Sequence, residues 1–147
     1  MLQAIALGVH GVLAPTARTP DDEVAEAARS ACARLRSGLE LALLDDGDES
    51  ALEFAVQRLD LHDLVPRRVW IGRLGSQARP PRPLAFRWLA NRWGIRPVQC
   101  LYVAGCDPLA DAARRAGWHV LPFHRLGMQD LHALADRLDA GARPWEI

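Results

Sequence analysis

Four short stretches of the chain hold the side chains able to do chemistry. The first, AIALGVHGVL at Ala4–Leu13, is an apolar run that breaks at Gly8 and meets His10. The second, DDGDES, begins at Asp45 and places four acids within six residues. The third, ARPPRP, brings Arg79 and Arg82 together among prolines, and the fourth, AGCDPLAD, contributes Cys106, Asp107 and Asp111. Imidazole, thiolate and carboxylate together suit zinc or another transition metal better than magnesium, so His10, Cys106, Asp107 and Asp111 form a candidate metal set. The plainer alternative is that His10 caps its turn and Cys106 is a small apolar residue in a tight loop. A thiol at a helix N-terminus gains acidity, which would make Cys106 a nucleophile or redox group, but Asp107 and Asp111 beside it oppose that. All 18 basic residues are arginine, which excludes any mechanism based on a lysine Schiff base or lysine acid.

The elements that must position these groups alternate regularly. Leu2–Val9 is almost wholly apolar, as expected of a strand buried on both faces. A helix follows over 19–38, with Thr19 as N-cap, Pro20 at its first position, Val24, Ala27, Ala28, Ala31 and Leu35 as its apolar stripe, and Gly38 at its end. A second strand runs from Leu39 into the DDGD turn, and a second helix over 49–64 carries Leu52, Val56 and Leu59 on one face. RVWIG is a brief third strand, and 82–94 a helix closed by Gly94. A fourth strand ends near Ala104, a helix runs from Pro108 to Gly117, WHVLPF is a fifth strand, and 128–141 is a final helix. Five strands alternating with helices predict a single α/β domain over 1–147, with a mainly parallel sheet covered on both faces. In such a sheet ligands bind beyond the carboxyl ends of the strands, where the four stretches would gather.

The spacing of those stretches resembles the haloacid dehalogenase (HAD) superfamily, the aspartate-nucleophile phosphatases and related hydrolases. The first family motif, hhhhDxDGh(L/T), aligns without gaps on AIALGVHGVL, and the second, an apolar strand ending in Thr or Ser, aligns on LALLDDGD. The third, a lysine near a helix start, falls near ARPPRPLAF, and the fourth, GDxxxxD before a helix ending in Ala-Gly, aligns on LYVAGCDPLADAARRAG. The resemblance implies a three-layer α/β/α Rossmann-like core with strand order five-four-one-two-three. It also implies a magnesium-dependent site whose positions here are Gly8 for the nucleophile, His10 for the acid/base, Asp45 for the Thr/Ser, Arg79 or Arg82 for the lysine, and Cys106 and Asp111 for the motif-four acids. Asp107 can replace Cys106 after a one-residue slip.

At most of those positions the chemistry is missing. Glycine offers no atom to attack phosphorus. Magnesium wants hard oxygen ligands in near-octahedral geometry, and two of its carboxylates are lost. Asp45 sets an anion where a phosphate oxygen should be accepted. The sequence therefore predicts a HAD-like fold without HAD chemistry, serving as a binding or interaction module, with no resident cofactor. The alternatives are a phosphohydrolase with rearranged residues, using magnesium, and a zinc or thiol site at His10 and Cys106.

Partners are bounded by charge and by surface aromatics. A formal net charge of zero offers no field for nucleic acid or an anionic membrane surface. Three cysteines without a CxxC pair, and no apolar run of spanning length, predict a cytoplasmic protein with no membrane segment. The intervals after motif one and before motif three leave no room for a cap domain. Trp88 lies off the apolar stripe of its helix (Phe86, Leu89, Ala90 and Trp93), and Trp145 stands on a short tail. Either would anchor a protein partner or a homodimer.

Overall fold

The structure, a computed structural model, describes residues 2–9, 12–13, 22–71, 83–104, 107–122 and 133–136. A strand apolar on both sides has no solvent face, and β1 (Ala4–Leu7) is accordingly central, every residue buried. It pairs in parallel with β2 (Glu40–Asp45) on one side and β4 (Cys100–Ala104) on the other, so that Leu7 faces both Leu43 and Val103. The strand β3 (Arg68–Trp70) flanks β2 and β5 (His119–Pro122) flanks β4, both parallel. The order β3-β2-β1-β4-β5 is the one expected from the sequence.

Side-chain size divides the two faces. On one face Ile5, Leu7, Leu43, Leu101 and Val103 meet helix α1 (Asp22–Arg36) and helix α2 (Glu49–Leu59). On the other, Ala4, Ala6 and Ala42 leave space for aromatic rings beneath α3 (Pro83–Trp93) and α4 (Asp107–Arg115). Phe86 fills it, edge-on to Tyr102 at 5.0 Å and to Trp118 at 5.2 Å between ring centroids. Fully burying side chains of this kind contributes about 1.5–3 kcal/mol each. Residues 133–136 are helical, within the expected last helix; Leu134 and Ala135 join the α1–α2 side of the core, and Asp136 pairs with Arg34.

Several element boundaries differ from the sequence reading. The second helix was expected to reach Leu64 but ends at Leu59, because Asp60 takes the left-handed conformation at φ 54°. The Asp60 and Leu61 amides then donate back to the Gln57 and Val56 carbonyls, closing the last turn. Leu61 and Val65, whose spacing mimics a continuing helix, are instead buried from the connecting turn. The stripe of α1 is rotated slightly: Ala25, Ala28, Ala31, Cys32 and Leu35 are buried, while Val24 and Ala27 are half-buried. The strands are shorter than their apolar runs; β1, for instance, stops at Leu7 rather than Val9. The proposed N-cap Thr19 lies outside the described residues.

The chain between β1 and α1 spans only 8–21, and that between β3 and α3 only 71–82. Neither interval is long enough for a folded domain, since chains below about 40 residues seldom fold unaided. The core therefore carries no cap at either position. Among the described residues no helix is long and apolar enough to cross a membrane.

Candidate functional site at the strand carboxyl ends

The apolar run of β2 ends on a carboxylate, and its placement decides the character of this end of the sheet. Asp45 is the one buried charged residue among those described, with 8% of its surface exposed. Its Oδ2 accepts from the Val9 amide at 3.0 Å and its Oδ1 from the Gly47 amide at 3.0 Å. Asp45 thus ties the chain leaving β1 to the turn leaving β2. A buried carboxylate is tolerable only when such donors replace its lost water.

Gly8 sits at the centre of this arrangement, buried, with its amide donating to the Val103 carbonyl at 3.1 Å. Val9 begins a tight turn: its carbonyl accepts from the Leu13 amide at 3.0 Å, and Val9, Val12 and Leu13 all return to the core. At Gly8 the end of β1 therefore presents backbone alone.

The other expected groups fall into two sets. Asp111 lies on α4 with 73% of its side chain exposed, 3.4 Å from Arg114 one turn on. Asp107 opens α4, with its side chain outside the described residues, and His10, Arg79, Arg82 and Cys106 also lie outside them. Of the site positions read from the sequence, the described structure therefore brings together Gly8 and Asp45. Among the described residues no three His, Cys, Asp or Glu side chains converge as a metal site. The remaining cysteines, Cys32 and Cys100, are free and buried, and burial pushes each thiol up to about 12 from its ordinary 9.0. Neither is a nucleophile at neutral pH.

The acidic run after β2 is mainly structural. Asp48 caps α2 by accepting from the Ala51 amide at 3.0 Å. His62 approaches Arg68 at 3.1 Å, and His119 meets the Val98 carbonyl at 3.0 Å. Sequence reasoning missed one polar cluster: Glu53 of α2 accepts from Arg68 at 2.6 Å and from the Trp70 indole at 2.7 Å, fixing the short strand β3. The alternation of Arg68 and Trp70 in β3 was the available signal. Trp88 is 40% exposed and Leu84, one turn before it, 45%, in keeping with the surface position expected for Trp88; Trp145 lies outside the described residues.

No protein-family profile matches the chain, and no curated protein matches it in sequence. Solved structures do match it in fold. A conserved haloacid dehalogenase-like protein of unknown function from Agrobacterium tumefaciens superimposes with a TM-score of 0.60 at 20% identity, covering 73% of this chain. This chain spans 58% of that protein's length. The L-2-haloacid dehalogenase of Xanthobacter autotrophicus gives a TM-score of 0.66 at 16% identity, over 97% of this chain and 84% of that one. The 3-deoxy-D-manno-octulosonate 8-phosphate phosphatase of Moraxella catarrhalis, solved with magnesium, phosphate and KDO, gives 0.61 at 15% identity, over 99% and 90%. At these identities what is shared is the arrangement of the chain. The parallel order, the crossovers and these likenesses together establish that this chain has the haloacid dehalogenase-like fold.

Proposed function

We propose that this protein is a HAD-fold binding domain in which the phosphoryl-transfer site has been replaced by structure. The observation that carries this reading is the Asp45 carboxylate on the Val9 amide. The first backbone donors beyond β1 and β2 are the ones an incoming anion would use, and an internal anion already holds them. A phosphate entering here would have to displace that carboxylate or lie against it, and like charges at about 4 Å repel by several kcal/mol at the effective dielectric of a protein surface.

The residues described do not fit a magnesium site. Gly8 supplies no ligand, Asp45 is engaged by backbone amides, and Asp111 points to solvent beside Arg114. A hydrolase with rearranged groups is the competing reading, since a phosphatase and a dehalogenase share the fold. It would need a nucleophile from a residue other than Gly8.

Calorimetric titration with inorganic phosphate in the presence of magnesium tests the proposal. The expected result is no saturable heat for the wild-type chain up to millimolar phosphate. Saturable binding that is lost on changing Asp111→Asn would overturn it and favour the hydrolase. A protein partner or a second copy of the chain on the exposed Leu84–Trp88 face of α3 is the alternative reading of what such a domain binds.

A further inference from the structure

The opposite end of the sheet is built differently. Where the chain enters β2 and β3, a cavity of about 630 Å³ opens between the end of α1, the turn before β3 and the side of α3. That volume lies within the range of small-molecule sites, about 300–1,000 Å³. Leu41, Leu64, Pro66 and Val69 line it beside the charged residues, and Trp88 of α3 adds an aromatic side chain.

Its charge is unbalanced. Arg36, Arg67 and Arg68 line the cavity against a single carboxylate, Glu40. Arg68 is neutralised by Glu53. Arg36 meets only the Asp63 carbonyl oxygen, at 3.5 Å, and Arg67 has no side-chain partner among the described residues. Arg92, which is not part of the lining, lies over the Trp88 ring, 5.7 Å from its centroid. Guanidinium groups are planar forks suited to carboxylate, sulfonate and phosphate oxygens, and are weakly hydrated enough to work beside apolar walls.

We propose that this cavity binds a small organic anion with a flat apolar body, the ring lying along Trp88 and the anionic group meeting Arg36 and Arg67. The site is separate from the strand carboxyl ends, so it stands whether or not the chain hydrolyses phosphate esters. It also gives a binding domain something to bind at the end of the sheet opposite Asp45.

Titration of the full chain with 2-naphthalenesulfonate, alongside neutral 2-naphthol and inorganic sulfate, tests the assignment. The expected result is saturable 1:1 binding of the sulfonate, at least tenfold tighter than either control. Arg67→Gln and Trp88→Leu should each weaken it at least tenfold, with unchanged circular dichroism, while Arg58→Gln on the exposed face of α2 leaves it as it was. No saturable binding, or equal weakening by all three substitutions, would overturn the proposal. So would sedimentation showing a dimer that the sulfonate does not perturb and that Trp88→Leu dissociates, since Trp88 would then face a second copy of the chain.

Discussion

At the scale of single residues, Asp45 connects the sequence to the proposed function most directly. As the aligned counterpart of a hydroxyl that should receive phosphate, it reads as a lost contact; in the fold it is a gained one, holding Val9 and Gly47. Asp45→Ala should lower the free energy of unfolding by about 2–3 kcal/mol, because a buried amide loses a charged acceptor. Asp45→Asn, with one acceptor oxygen kept, should recover part of that in urea denaturation; an alanine variant within 0.5 kcal/mol of wild type would contradict the role, a margin typical of neutral surface changes. The thiols give a second expectation. In a Cys106→Ser variant, Cys32 and Cys100 should titrate with a disulfide reagent only after unfolding. Because both stay neutral in the fold up to about 12, against 9.0 ordinarily, their contribution to stability is complete below about pH 9 and is lost as the pH rises toward 12. That position 8 offers no side chain was legible in the sequence from Gly8 alone. The Asp45 bonds were not, since they join residues 36 positions apart and nothing local announces the pairing.

At the scale of elements, the strands announced themselves because burial on both faces leaves an unbroken apolar run, and the helices because their stripes recur at helical spacing. Ends were harder. Gly94 and Gly117 were legible as stops, and both adopt positive φ, at 69° and 88°. Asp60 was not, because a left-handed aspartate has no distinctive neighbours and Leu61, Leu64 and Val65 continue the helical rhythm past it. The two glycines separate conformational strain from crowding. A Cβ at Gly94 meets nothing within 4 Å, whereas one at Gly117 comes within 3.2 Å of the Pro97 Cβ. Gly94→Ala should therefore cost only the left-handed penalty, about 1–2 kcal/mol, and Gly117→Ala distinctly more. Equal losses in thermal unfolding would show that Pro97 yields freely.

At the scale of the whole molecule, the five-stranded parallel sheet places the two ends under opposite chemistry. The carboxyl ends hold an internal carboxylate and a bare backbone at Gly8; the amino ends of β2 and β3 hold arginines without enough carboxylates to match. The fold was readable from alternation and motif spacing. The basic cavity was not, since Arg36, Arg67 and Trp88 come from three separate elements. The proposal at this scale is that the HAD fold has lost phosphohydrolase chemistry. Its most direct test is turnover of an aryl phosphate with magnesium, by wild type and by Asp45→Asn and Asp111→Asn variants purified in parallel. One rate is expected for all three, equal to the protein-free blank with or without the metal. Magnesium-dependent turnover that persists through purification and disappears in either variant would contradict it.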